Sequence, residues 1–211
     1  MDAKPRSSAS VRPYRQRARA EAAGRTRDAI LDATVGLVLE KATSELSLAD
    51  VGSRAGVSVQ TVLRHFGTRE GLLDAALAHG STLIEAERRI PSTDLRAAVG
   101  VLLEHYERRG DSVIRLLAQE AFDERIAQIT SQGKQVHREW VTDLVARARP
   151  ACRRDDVVDQ LVVVTDVYAW KLLRRDRGLS RETAESRITD LVSAVLAAAE
   201  QRAGSEDEET S

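Results

Sequence analysis

The sequence predicts an all-α protein, and three observations carry that prediction. Apolar residues recur every three to four positions through almost the whole span between the two tails. No run of strict two-residue alternation is bounded by the dipeptides that close hairpins. Gly56, Gly67, Pro91 and Pro150 fall between the periodic stretches, where helices stop. A chain of 211 residues buries enough surface to keep a core without disulfide or metal. Cys152 is the single cysteine, so no intrachain disulfide and no multi-cysteine zinc site can form, which suits a reducing cytoplasm. No run of about 18 apolar residues and no apolar leader occurs, so neither a membrane span nor a secretory signal is expected.

About nine helices follow from the spacing. Residues 1–23 mix Pro, Ser, Ala and Arg without apolar periodicity and read as a basic disordered arm that turns helical near its end. Its Arg- and Ser-rich composition is also that of a transit peptide, a reading the rest of the chain opposes. The first helix spans about Gly24 to Lys41, with Ile30, Ala33, Thr34, Leu37 and Val38 on one stripe. Ser47-Leu48-Ala49-Asp50 is a helix-start signal, and the second helix turns Leu48, Val51 and Ala55 inward before Gly56 ends it. Ser58 is placed to cap a third, short helix to Phe66, with Val59, Val62, Leu63 and Phe66 available for packing. Gly67-Thr68 separates this from a fourth helix, about Arg69 through Glu87.

Pro91 marks the boundary of a second helical block. Leu95, Ala98, Val99, Leu102, Leu103 and Tyr106 form one stripe, and Val113, Ile114, Leu116, Leu117 and Ala121 a second. A longer helix spans about Ile126 to Arg149, with Ile129, Val136, Trp140, Leu144 and Val145 on one side. The last pair, Val157 to Leu173 and a helix carrying Ile188, Leu191, Val192, Val195 and Leu196, is the most apolar and calls for a partner. Two copies of the chain forming a four-helix bundle would meet that need. The segments expected are therefore the arm at 1–23, a helical domain at 24–80, a second helical domain at 81–203, and an acidic tail at 204–211.

The formal net charge of −1 hides an uneven distribution. Residues 1–80 carry 12 Lys and Arg against 9 Asp and Glu, and residues 81–211 carry 20 against 24, so the basic charge lies at the front. Leu48 to Phe66 has the arithmetic of a helix-turn-helix: eight residues, a tight Ala55-Gly56-Val57 turn, and a second helix presenting Gln60, Thr61, Arg64 and His65. Gln can bond adenine bidentately, Thr and Val can touch a thymine methyl, and Arg and His can meet phosphate or guanine. An αα-corner with a merely wet polar face would fit the composition equally well.

The motifs then become specific. Leu-Ser-Leu-x-Asp-Val, Arg-Ala-Gly-Val-Ser, Thr-Val-x-Arg-His-Phe and Thr-Arg-Glu-Gly-Leu-Leu follow one another between Leu46 and Leu73. With the first-helix stripe, Gly24 to Gly80 resembles the N-terminal domain of the TetR family of transcriptional repressors. Trp170 to Ser180 resembles the end of the penultimate helix of some members. The resemblance implies base contacts from Gln60, Thr61 and Val59, and phosphate contacts from Ser47, Ser58, Arg64, His65 and Thr68. Arg69 would add its charge and a helix N-terminus to the phosphate grip. Where the family commonly has tyrosine before Arg-His-Phe this chain has Leu63, which cannot donate to a phosphate. Affinity is then expected from Arg15, Arg17, Arg19, Arg25 and Arg27, through salt-dependent contacts. Gly52 replaces a more usual alanine, at a cost of roughly 0.5–1 kcal/mol in helix propensity.

Other chemistry finds little support. His65, His79, His105 and His137 are too scattered for a metal motif and read as surface or core residues. Cys152 beside Arg153 and Arg154 could act as a redox sensor, though an incidental thiol fits better. No phosphate loop or nucleophile elbow is present, so no enzyme, metal or cofactor is expected. In the C-terminal block, Tyr106, Phe122, Trp140, Tyr168 and Trp170 could line an apolar effector pocket, with Gln119, Glu120 and Asp166 as polar neighbours, though plain core packing fits any single aromatic better and Asp166 serves equally as an arginine's partner across a dimer interface. Val164, Leu191, Val192, Val195 and Leu196 are candidates for the dimer interface. The expectation is a cytoplasmic homodimeric regulator, a repressor before an activator, that binds a near-palindromic operator and is released by a small molecule. The alternative is a helical dimer that binds a small molecule or protein and no DNA.

Overall fold

The computed structural model describes residues 11–41, 43–149 and 155–209. Cys152, Arg153 and Arg154, and with them the redox reading, lie outside the described residues, as does the arm before residue 11. The chain divides into two compact units, Met1–Gly80 and Ser81–Ser211. Among the described residues there is no strand, no helix long and apolar enough to cross a membrane, and no cluster of three His, Cys, Asp or Glu able to hold a metal.

The first unit is built from α1 (Val11–Glu40), a 3-10 turn (Thr43–Glu45), α2 (Leu48–Ala55), α3 (Val59–Phe66) and the start of α4 (Arg69–Glu87). The stripe Ile30, Ala33, Thr34, Leu37 and Val38 is buried, as are Leu46, Val51, Val62, Leu72, Leu73 and Ala76 of the same unit. Two expectations are corrected here. The helix begins at Val11, so residues 11–23 belong to α1. Their abundance of Ala and Arg favours helix, and residues 16–23 are all exposed, so apolar periodicity does not register the element. Val59 and Leu63 are 38% and 39% exposed, so of the apolar residues of α3 only Val62 is fully buried.

The second unit comprises α5 (Leu95–Leu117), α6 (Glu124–Ala148), α7 (Asp155–Thr165), α8 (Val167–Lys171), a π-helical stretch (Leu172–Asp176) and α9 (Arg181–Glu209), and α4 runs into it from the first unit. Its core joins Leu102, Leu103, Val141, Leu144, Leu161, Trp170, Ile188 and Val192. The two stripes expected around Tyr106 and Ile114 lie on one helix, α5, which passes through Gly110 without a break. That glycine is a packing device: a Cβ there would stand 2.4 Å from the Trp170 ring. The expected helix from Val157 to Leu173 is interrupted instead. Asp166 is not helical but caps α8, accepting from the Tyr168 N–H at 2.8 Å. The acidic tail is helical to Glu209.

Gly110→Ala should separate packing from propensity. Alanine is favoured over glycine inside a helix by up to about 1 kcal/mol, while overpacking costs roughly 1–3 kcal/mol. A lower urea midpoint is expected, and a raised one would show that Trp170 can step aside.

Candidate nucleic-acid interface

The helix-turn-helix is held by caps at each of its corners. Ser47 Oγ accepts from the Asp50 N–H at 3.1 Å, and the Asp50 carboxylate accepts in return from the Ser47 N–H at 3.0 Å. Lys41 Nζ donates to the same carboxylate at 2.7 Å. With Lys41 first and Ser47 second, these donors hold the Asp50 carboxyl well below the usual range. At the turn, Gly56 adopts φ 68°, a left-handed conformation that glycine takes without a steric penalty, and Val57 N–H donates to the Gly52 carbonyl at 2.8 Å. Gly52 has a steric use that offsets its propensity cost: a Cβ would stand 2.7 Å from the Val57 carbonyl oxygen. Ser58 Oγ accepts from Thr61 N–H at 3.2 Å and opens α3.

With Val62 fully buried, α3 turns Val59, Gln60, Leu63 and Arg64 outward. Thr61 is half-buried, its hydroxyl 3.0 Å from that of Ser58, and His65 is half-buried beside Phe66. Ser47, Ser58 and Thr68 are exposed and act as caps; Thr68 Oγ1 accepts from Gly71 N–H at 3.0 Å. Arg25 and Arg27 are exposed, and the Arg27 guanidinium lies 5.2 Å over the Phe66 ring, which brings the basic side of α1 to the end of α3. Arg69 has a different engagement from the one expected. It donates to the Leu46 carbonyl at 3.2 Å and to the Thr43 carbonyl, tying down the loop that leads into α2. Two further ties escaped sequence reading. Arg54 forms a two-pronged pair with Glu40 at 2.6 and 2.8 Å, and His79 bonds Asp32 at 2.7 Å. Their partners are 14 and 47 positions away, beyond any helical spacing.

The second unit disperses the residues proposed for a pocket. Phe122 is 89% exposed on the turn after α5, and Tyr168 is also exposed. Gln119 donates to the Arg115 carbonyl, and Glu120 pairs with Lys134. Trp170 is enclosed and donates to Glu107 Oε1 at 2.9 Å. Of the proposed interface residues, Val192 and Leu196 belong to the chain's own core, Val164 and Val195 pack partly against it, and Leu191 is 48% exposed. Helical spacing shows that a residue is on an apolar face, but not whether its own chain covers that face.

A polar cluster does occupy the interior of this unit. Glu87 accepts from His105 Nδ1–H at 2.8 Å and from Arg109 at 2.7 Å. Burial alone would raise the Glu87 carboxyl, but the hydrogen bonds from Arg109 and His105 outweigh it and bring it down to about 2. Burial, with the Arg88 charge second, pushes His105 and His137 down to about 3, so both are neutral near pH 7. The His105–Glu87 contact is therefore a hydrogen bond from a neutral ring, not an ion pair. Thr165 donates its hydroxyl proton to the Leu161 carbonyl, so at 3.2 Å it accepts from His137 Nε2–H. That leaves His137 Nδ1 as a lone-pair acceptor 3.5 Å from Arg88. Tyr106 donates to the Thr165 carbonyl at 3.0 Å and Trp140 to the Arg88 carbonyl at 2.8 Å. A cleft of about 240 Å³, lined by Arg88, Ile90, Val136 and Trp140 among others, opens beside this cluster; of the proposed pocket residues, Trp140 alone lines it. The cluster escaped sequence reading because its members come from three helices and the end of α4, with no shared spacing.

Residues 30–76 match the family model described as bacterial regulatory proteins, tetR family. The HTH-type transcriptional regulator AlkX of Mycobacterium tuberculosis (strain ATCC 25618 / H37Rv) is 33% identical over 180 residues, covering 79% of each chain. The chain belongs to the TetR family of transcriptional regulators. Two solved structures share the fold of this TetR-family regulator. A TetR transcription regulator from Haloarcula marismortui ATCC 43049 is 17% identical, with a TM-score of 0.55 over 82% of this chain and 97% of that one. A transcriptional regulator from Rhodococcus sp. Rha1 is 20% identical, with a TM-score of 0.56 over 83% and 96%.

The buried histidines give the regulator a predicted pH profile. Their folded pKa values lie below the unfolded value of about 6.5, so the unfolded chain binds more protons between the two. Their contribution to stability is complete above pH 6.5 and is lost as pH falls toward 3, by up to about 1.4 kcal/mol per pH unit for each histidine. Denaturant unfolding between pH 7 and 5 should show the loss, and His137→Gln should reduce the slope; a flat profile would mean the rings are charged in the fold.

Proposed function

We propose that this TetR-family regulator is a cytoplasmic repressor that binds a near-palindromic operator as a homodimer and lets go when a small molecule occupies its second unit. The observation that carries the DNA-binding reading is the outward face of α3, where Gln60, Arg64, Val59 and Leu63 stand exposed on a helix fixed by caps. Gln60 can read adenine, Thr61 and Val59 a thymine methyl. Ser47, Ser58, Arg64, His65 and Thr68 grip phosphates, with Arg25 and Arg27 extending the grip along α1, and Arg69 holds the loop behind α2. A regulator of this kind needs no catalysis.

A dimer supplies two such helices, which must stand about 34–36 Å apart to enter successive major grooves. Leu191 and Val163, 48% and 69% exposed on α9 and α7, support a partner against these helices, since such large apolar side chains gain from burial. The switch requires only that the effector favour the arrangement with the wrong spacing by a few kcal/mol. Because α4 leads from Thr68 to the cluster around Arg88, it is the lever in this reading.

Sites selected from a random pool of duplex DNA supply the test. Gln60→Ala should cost about 1–3 kcal/mol at the selected site and relax specificity at one base pair, whereas Arg64→Ala should weaken all sequences alike and reduce the salt slope by about 1. Removing residues 1–23 should also flatten that slope. Equal binding of both variants to selected and random DNA would instead support a helical dimer that does not read DNA.

A further inference from the structure

Arg88 is the one charged group of the interior cluster that lacks a counter-ion. It is 6% exposed, and its Nε has no hydrogen-bond partner. Its guanidinium meets the His137 lone pair at 3.5 Å and lies 5.2 Å over the Tyr106 ring, both neutral groups. The carboxylate of the cluster, Glu87, is already claimed by His105 and Arg109. Of the carboxylates lining the cleft, Asp143 accepts from Arg147 at 2.7 Å, Glu139 accepts from Gln135 at 2.9 Å, and Glu85 is exposed to solvent and forms no ion pair with Arg88. Among the described residues, no carboxylate lies within ion-pairing distance of Arg88. A buried cation without a partner is a costly arrangement that folding alone would not favour.

The same arginine lines the cleft beside Ile90, Val136 and Trp140. We infer that this cleft binds a small carboxylate with an apolar body, whose oxygens supply the missing counter-ion to Arg88 while Trp140, Ile90 and Val136 cover the rest. The guanidinium's planar set of donors suits the two oxygens of a carboxylate. The size follows from the volume. At roughly 30 Å³ per water, about 240 Å³ admits a ligand of a single ring or a short chain. Glu85 and Glu139 at the mouth, both exposed, disfavour ligands with several negative charges. Arg88 follows directly on Glu87, the last residue of α4, so an anion drawing on this side chain acts at the end of the helix that begins beside the recognition helix.

The inference rests on the reading that the second unit takes an effector, and its test is independent of DNA. Matched pairs of acid and amide, benzoate with benzamide, phenylacetate with phenylacetamide and hexanoate with hexanamide, are added to the full chain at constant ionic strength, and thermal unfolding is followed. At least one acid should raise the midpoint by about 2–4 °C more than its amide. Arg88→Met should retain the helical signal and lose that difference, and Arg88→Lys should retain part of it. If no acid outperforms its amide, if benzylamine stabilises more than benzoate, or if Arg88→Met responds as the wild type does, the proposal is overturned. The wild-type comparison decides the matter even if a variant fails to fold. Should an acid stabilise the protein yet leave the selected DNA bound, the anion site stands and the release step of the proposed function falls.

Discussion

An eight-residue helix cannot hold itself in water, and everything the first unit does follows from that constraint. Nucleation costs more than so few hydrogen bonds return, so α3 exists because its ends and one face are fixed from outside. Ser58 and Gly67 close the ends, and Val62 anchors the single buried face. The surroundings are fixed in turn, by Lys41 and Ser47 on Asp50, by Glu40 on Arg54, and by Arg69 on the loop carbonyls of Thr43 and Leu46. With so little of α3 spent on the core, Gln60, Leu63 and Arg64 are left to solvent.

The two units use polar groups in opposite ways. In the first, the charge pairs between helices are at or near the surface, where each is worth little in stability but directs one helix against the next. In the second, Glu87, Arg88, His105, His137 and Thr165 are buried or nearly so, and their hydrogen bonds are specific because the alternative is an unpaired group in a low dielectric. An interior of this kind is sensitive to any ion that enters it, a property a purely apolar core would lack.

Much of the fold was legible in the sequence. Buried stripes such as Ile30 to Val38 and Leu95 to Tyr106 follow from period alone, and the Ser47 and Ser58 caps and the Gly56 turn follow from local backbone chemistry. The boundaries that failed did so for identifiable reasons. Residues 11–23 extend the first helix through propensity, with 16–23 exposed, Gly110 lies inside a helix because Trp170 fills the space of its side chain, and Asp166 interrupts one because its carboxylate caps better than it continues.

The sequence by itself determined the helical class, the order of the helices and the motif that presents Gln60 and Arg64, because these depend on contacts between near neighbours along the chain. Only the tertiary structure decided that Arg69 faces a loop, that Phe122 is exposed, that Val192 and Leu196 are core, and that Arg88 is buried without a carboxylate. Those outcomes depend on which distant side chains share a space, and no periodicity in a single chain encodes that.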